Sequence, residues 1–333
     1  MTTLLEIKEK LRQFYGKYEV FVTPVLKFIM SLIIFLMINS SIGYMSAISR
    51  LPIAIILALV CSVIPVNGTI FIATLVMVLD FYALSIEVCL VALILFFLLY
   101  LVYFRFAPKH GYNVVLTTVC FKLNIPYIMP VASGLLNEVH SVFSVICGAL
   151  VYFFVHGVKL NETVLSDAAE ASENSTSKIV IVLNQLVGNK EMYLVIGIFL
   201  VTTIIVNLIR KMDIDHAWTV ALVSGILFET IGLIAGYILL GISGKTIGVL
   251  VGNAISCIIA FGLQFLFFNV DYSRVERFQF EDDDYYYYVK AIPKSLVSGS
   301  NKQIKRFNTA NEKEKMDKKR FAEEMDIDEE LLN

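Results

Sequence analysis

The chain has 333 residues, of which 57% are hydrophobic and only 17% are charged, and its mean hydropathy is +0.74. This composition excludes an ordinary soluble protein and predicts an integral membrane protein. The net charge of −2 supplies no clustered basic surface, so nucleic acid is excluded as an expected partner.

The N-terminal residues 1–21 mix acids and bases on an amphipathic pattern before any long apolar run begins. A cleavable signal sequence is not built in this way. We expect this segment to form a cytoplasmic or interfacial helix that leads into the first span.

Eight segments approach the roughly 20 apolar residues that a helix needs to cross a bilayer. They are residues 22–40, 51–66, 69–84, 86–104, 139–157, 192–209, 217–240 and 246–269. The sequence therefore predicts an all-α integral membrane protein of about eight transmembrane helices. We divide them into a first membrane bundle at 22–157 and a second at 192–270.

A further apolar segment, residues 113–136, is predicted to be broken or re-entrant. It carries Lys122, Asn124, Pro126 and Pro130 near its middle. A proline inside a helix removes a backbone hydrogen bond, and lipid offers no replacement for it.

Basic residues predict the orientation of the chain. Arg105 and Lys109 lie in one loop and Arg210 and Lys211 in another, and basic loops favour the cytoplasmic side. Eight crossings plus one re-entrant segment put both loops and both termini in the cytoplasm. The expected location is a cell membrane, crossed several times.

The stretch 158–191 has three bases and five acids and is predicted to lie outside. Its first half is rich in Ser, Thr, Asn, Ala and Glu, which is typical of a flexible linker. Apolar residues at helical spacing then predict a helix in the membrane interface. These residues are Ile179, Val182, Leu183 and Leu186.

No catalytic motif is recognisable in the sequence, so we expect no enzyme activity and no cofactor. Gly244, Lys245 and Thr246 match the end of a phosphate-binding loop, but Leu239 stands where that motif requires a glycine. All five cysteines lie in apolar segments, where packing is their expected role. Glu138 and His140 could pair with His156 around a metal only if the intervening helix turns back, and we expect no metal site.

Polar residues inside the apolar segments are the candidate pathway of a transporter. They are Asp80, Lys122, Glu229 and Asn253, with Gln264 as a further polar residue. An unpaired charge in a span costs about 3 kcal/mol or more, so these groups must face one another, the backbone or water. The alternative interpretation is a structural hydrogen bond, for example between Glu229 and Asn253.

The C-terminal region is predicted to hold a small cytoplasmic β-hairpin within residues 271–296, followed by a charged tail at 297–333. Two β-prone runs flank the acidic residues "EDDD". The candidate docking residues for a protein partner or a second copy of the chain are Tyr285, Tyr286, Tyr287 and Tyr288. A calcium loop is the alternative, but the spacing of its usual ligands is missing.

The motifs "RFAPKHGY", "IPYIMP", "NVDYSR" and "FEDDDYYYYVKAIPK" resemble an uncharacterised family of polytopic membrane proteins from Gram-positive anaerobes, loosely labelled permease-like. The resemblance spans most of residues 25–294 and implies a bacterial cytoplasmic membrane. It supplies no functional residues. The sequence thus favours a permease or transporter for an unknown solute, and the alternative is a membrane scaffold that binds proteins through its external helix and tyrosine hairpin.

Overall fold

The computed structural model describes residues 2–166, 175–212, 214, 216–267, 277–281 and 286–290. Residue contacts divide the chain into one unit up to Phe268 and a second from Asn269 onward. The first unit is helical. Its helices are α1 (Thr2–Ile42), α2 (Leu51–Val63), α3 (Val66–Leu84), α4 (Ile86–Phe106), α5 (Gly111–Lys122), α6 (Ile128–Leu136), α7 (Val142–Leu160), α8 (Glu162–Ser166), α9 (Ser175–Val187), α10 (Lys190–Arg210), α11 (Ala217–Leu239) and α12 (Thr246–Phe267).

Among the described residues, seven helices are long and apolar enough to cross a membrane. They lie within 13–42, 66–84, 86–106, 139–160, 178–210, 217–239 and 246–267. The prediction of a helical, multi-pass membrane protein is thereby confirmed. The predicted count of eight spans is not supported.

The predicted span at 51–66 accounts for the difference, because α2 has only 13 residues. At 1.5 Å per residue it is about 20 Å long, against about 30 Å for the bilayer core. Pro65 ends the segment: a residue before proline avoids the helical region, and Ile64 is extended at φ −78° and ψ 152°.

The N-terminal segment and the first predicted span lie in one helical stretch, α1, which a kink divides into two helices. Helix α1 has 41 residues, with a local departure from helical geometry at Tyr18 (φ −115°, ψ 20°) and Pro24 in its interior. The kink lies close to the predicted boundary between the amphipathic segment and the apolar span.

Hydrogen bonds between helix ends define two faces of the bundle. At the near face, Asn67 at the start of α3 donates to the carbonyl of Pro108 after α4 at 3.2 Å. At the far face, Lys159 at the end of α7 donates to the carbonyl of Ser40 near the end of α1 at 3.2 Å. Consecutive long helices run between these two faces.

Helices α5 and α6 do not follow this pattern, because they form a hairpin that starts and ends at the near face. His110 before α5 and His140 after α6 lie 3.3 Å apart between their Nε2 atoms. Deeper in the hairpin, the Asn113 amide donates to the Ser133 hydroxyl at 3.2 Å. The broken segment therefore enters the bundle and returns to the face from which it came.

Buried apolar side chains form two main clusters. The first joins α1–α4 with α8, α9 and one side of α7, and includes Phe35, Phe81 and Phe154. The second joins α5, α6 and the other side of α7 with α10–α12, and includes Phe199 and Leu222. Helix α7 contributes to both clusters and connects them.

The predicted interfacial helix is α9, and much of its apolar face is covered by the chain itself. Val182 is buried in the first cluster, and Ile179 and Leu186 pack against that cluster. Leu183 remains exposed. Helix α9 packs on α4 and α7.

In the second unit, the described residues are two short strands, β1 (Arg277–Glu281) and β2 (Tyr286–Lys290). They pair antiparallel, with Phe280 opposite Tyr287. Residues 282–285 and the predicted tail at 297–333 lie outside the described residues.

Candidate functional site

The turn between α5 and α6 is the central feature of the site, and local sequence chemistry forms it. The Ile125 N–H donates to the carbonyl of Cys120 at 2.9 Å, and the Asn124 N–H to that of Phe121 at 3.1 Å. This is the Schellman pattern of a helix C-terminus. It needs a left-handed residue, which Asn124 provides at φ 60°. Pro126 then prevents the helix from continuing.

A cavity of about 780 Å³ lies above this turn, and we call it the vestibule. Exposed residues, among them Asn184, Lys190 and Lys245, line its mouth at the far face. Buried and half-buried aromatic residues line its deeper part. These are Phe121, Tyr127, Tyr152, Phe153 and Tyr237.

Glu191 is the electrostatic centre of the vestibule. Both of its carboxylate oxygens accept hydrogen bonds from the Lys245 ammonium at 2.7 Å, and one accepts from the Tyr237 hydroxyl at 3.2 Å. The vestibule thus combines one ion pair with several hydroxyl groups, which suits a polar guest.

Tyr152 forms one wall of the vestibule within a stack of rings. Its ring lies parallel to that of Phe121, with centroids 4.7 Å apart, and parallel to that of His156 at 5.6 Å. Stacked rings are held in place by broad contact. Tyr152 and His156 also line a second cavity behind this wall.

The second cavity, which we call the groove, has a volume of about 390 Å³. It lies between α1 and α3 on one side and α5 and α7 on the other. Its walls are mostly aliphatic. At the far face it ends at Ser41, Lys122, His156 and Lys159.

Glu229 and Asn253 lie behind the floor of the vestibule, on α11 and α12. Both are buried, and neither side chain has a hydrogen-bond partner among the described residues. Tyr127 lies near both residues: Glu229 is close to its hydroxyl, and its ring lies against Gly252, which precedes Asn253 on α12. A Cβ atom at Gly252 would collide with that ring, so a larger residue there would require the ring to shift.

The other two predicted pathway residues lie elsewhere. Asp80 is buried near the far end of α3, where one of its carboxylate oxygens accepts from the Met45 N–H at 3.0 Å. It thus holds the loop between α1 and α2. Lys122 is exposed at the end of α5 and donates to the Ser41 hydroxyl at 2.8 Å. The structure therefore brings together only Glu229 and Asn253, around Tyr127.

The predicted docking tyrosines are only partly covered by the structure. Tyr286, Tyr287 and Tyr288 belong to β2, but their side chains lie outside what the structure describes. Tyr285 itself lies outside the described residues.

The histidines do not meet as the metal alternative required. His140 lies near Glu138 (3.3 Å) and His110 (3.3 Å), whereas His156 stacks on Tyr152 near the far face. Within the described part of the chain, no group of three or more His, Cys, Asp or Glu could hold a metal ion. The Gly244–Lys245 sequence follows a membrane-type helix, and Lys245 contacts Glu191 rather than forming a phosphate loop.

Sequence reasoning missed most residues of the vestibule. Glu191 and Lys245 stand at the ends of long apolar helices, where a charge is ordinary. Tyr127 and Tyr152 look like apolar packing residues in a sequence. The one usable signal was the "NIP" break, because a broken helix inside a bundle exposes polar backbone that must face a cavity.

No protein-family model, curated protein or solved structure matches this chain. The fold and the two cavities therefore carry the functional argument.

Proposed function

We propose that the chain is a carrier that binds a polar solute in the vestibule and passes it by the turn between α5 and α6. The observation that carries the proposal is a large polar cavity whose floor is a broken helical hairpin. Small-molecule sites are concave and combine apolar walls with a few convergent polar groups. Transport proteins place broken helices at such sites because the free backbone groups then face the cavity.

We infer that the near face is cytoplasmic and that the vestibule opens to the outside. The positive-inside rule supports this orientation, since Lys27, Arg105, Lys109, Arg210 and Lys211 belong to near-face ends or loops. Helix α2 runs back along α1, with Lys27 donating to the carbonyl of Ile64 at 3.4 Å. If local thinning lets α2 cross as well, the start of α1 and the end of α12 share the cytoplasmic side.

Glu229 is the proposed coupling residue. A buried carboxylate without a partner is costly when ionised, so such residues in spans are candidates for proton relays. Its position behind Tyr127 would let a proton on Glu229 respond to a solute in the vestibule. Asn253 is the neutral polar neighbour of this relay.

The scaffold alternative receives less support. The external helix α9 packs much of its apolar face on α4 and α7, so little of that face is left for a partner. Docking through Tyr285–Tyr288 stays a prediction.

The test is uptake by purified protein in vesicles. Proteoliposomes would be offered isotope-labelled monosaccharides, amino acids and nucleosides, and the internal solutes measured by mass spectrometry. We expect at least one class to enter faster than into protein-free vesicles. Glu191→Ala should slow that uptake by about ten- to a hundredfold, since one charged hydrogen bond contributes about 1.5–3 kcal/mol. Arg50→Gln, an exposed charge loss on the same face, is the control.

Two results would contradict the proposal. One is that no solute class enters faster than into protein-free vesicles. The other is uptake that Glu191→Ala leaves unchanged, because the solute would then bypass the vestibule.

A further inference from the structure

We propose that the groove binds a lipid with a phosphate headgroup, with one chain along the aliphatic walls and the phosphate on Lys122 and Lys159. This site is separate from the solute vestibule and lies on the other side of the Tyr152 wall. The shape of the groove and the charge at its far end both fit such a lipid.

The walls of the groove fit an alkyl chain. Helices α1, α3, α5 and α7 supply aliphatic side chains such as Met37, Ile38, Met77, Val115 and Val119. From Val114 to Lys122 the helix rises about 12 Å, which is enough for a chain of about ten methylenes. A cavity of about 390 Å³ with such walls has little to offer a polar solute.

The far end of the groove is positively charged. The Lys122 ammonium donates to the Ser41 hydroxyl at 2.8 Å, and the Lys159 ammonium to the neighbouring Ser40 carbonyl at 3.2 Å. The two lysines thus contact consecutive residues of α1, so their ammonium groups lie close together. Among the described residues, neither forms a salt bridge.

Two adjacent ammonium groups without a salt bridge favour the binding of an anion. A phosphate group offers several strong acceptor oxygens, so it can bind both lysines at once. The lysines lie at the far-face ends of α5 and α7, where a lipid headgroup would be. Charge and apolar length together point to a phospholipid-type anion rather than a free ion.

Tyr152 and His156 give the proposed site a connection to the vestibule, because both residues line the two cavities. A headgroup bound at Lys122 and Lys159 would therefore lie next to the vestibule wall.

Three probes distinguish the contribution of the alkyl chain to binding from that of the phosphate charge. The purified full chain in neutral maltoside micelles would be titrated with dodecyl phosphate, dodecanol or inorganic phosphate while its thermal unfolding midpoint is followed. A ligand that binds the folded state raises this midpoint in a saturable way. We expect a saturable rise with dodecyl phosphate and at most a small, unsaturated change with the other two.

Variants then locate the site. Lys122→Gln and Lys159→Gln should each weaken dodecyl phosphate about tenfold, since each removes a charged hydrogen bond. Val115→Phe should prevent dodecyl phosphate from binding, because the larger side chain would fill the space of the alkyl chain in the groove. Lys122→Arg keeps the charge and should retain binding, and Arg50→Gln is the matched charge loss at the same face.

The proposal is overturned if inorganic phosphate or dodecanol gives the same saturable rise as dodecyl phosphate. It is overturned equally if Arg50→Gln weakens binding as much as Lys122→Gln does. Solute uptake is measured independently, so a failure here leaves the carrier proposal standing.

Discussion

The Lys245 ammonium lies 2.7 Å from both carboxylate oxygens of Glu191, and this pair joins positions 54 residues apart at the mouth of the vestibule. The side chain of Lys245 is 55% exposed and that of Glu191 is 22% exposed. Ion pairs exposed to this degree contribute about 0.2–1 kcal/mol. We therefore expect a coupling energy in that range from a double-mutant cycle with Glu191→Gln and Lys245→Gln, read from thermal unfolding. A coupling energy of zero would mean that the ion pair does not stabilise the mouth of the vestibule.

Two glycines one turn apart on α12 provide a matched test of the vestibule floor. A Cβ atom at Gly252 would meet the Tyr127 ring, whereas at Gly248 it would meet nothing within 4 Å. Gly252→Ala should lower the free energy of unfolding by about 1–3 kcal/mol through overpacking. Gly248→Ala should be neutral or stabilise by up to about 1 kcal/mol, because alanine favours the helix. Equal effects of both changes would show that Tyr127 does not rest on Gly252.

Glu229 distinguishes a functional residue from a structural one. Because its carboxylate has no partner among the described residues, its burial costs stability. Glu229→Met should raise the free energy of unfolding by about 1–3 kcal/mol, and Glu229→Gln should change it little. Both changes should abolish coupled uptake. A large loss of stability in Glu229→Gln with normal uptake per folded molecule would show that Glu229 has a structural role rather than a coupling role.

The histidines at the base of the hairpin predict a pH dependence. Burial, followed by the neighbouring His140, lowers the pKa of His110 below its usual 6.5, and the smaller effects of Glu138 and Asn137 oppose this. The unfolded chain therefore binds the proton more tightly than the folded chain. The stability contributed by neutral His110 is present above pH 6.5 and is lost as the pH falls through the lowered pKa.

This dependence can be measured by thermal unfolding between about pH 5 and pH 8, where histidine titrates. His110→Asn should flatten the decrease below pH 6.5. His216→Asn, at an exposed near-face histidine, is the matched control. A steeper decrease in His110→Asn would contradict the assignment.

The sequence was sufficient for the long helices, because composition and span length act locally. It also located the break, since "NIP" specifies a helix end and a stop without help from the rest of the fold. It did not reveal that α2 has only 13 residues, because the apolar run continues to Val66 and only Pro65 interrupts it. It also placed α9 in the interface, because its apolar periodicity is the same whether lipid or α4 covers it.

The candidate site was less accessible from sequence. Glu229 and Asn253 were recognisable as polar residues in apolar spans, and both lie near Tyr127. Asp80 looked equivalent but holds a loop through the Met45 N–H. The vestibule depends on long-range contacts such as Lys245 with Glu191, and no local pattern encodes them.

We propose above all that α5 and α6 form a re-entrant hairpin below a vestibule that opens to the outside. Single cysteines would be introduced at Lys109, Glu138 and Asn184 in a variant without the five native cysteines, and labelled in intact cells with a membrane-impermeant maleimide. Lys109 and Glu138 flank the hairpin at the near face, and Asn184 lines the vestibule mouth. We predict that the cysteine at 184 reacts from outside and that those at 109 and 138 react only after the cells are permeabilised. Labelling of 109 and 138 from opposite sides of the membrane would show that the segment crosses completely and would contradict the account.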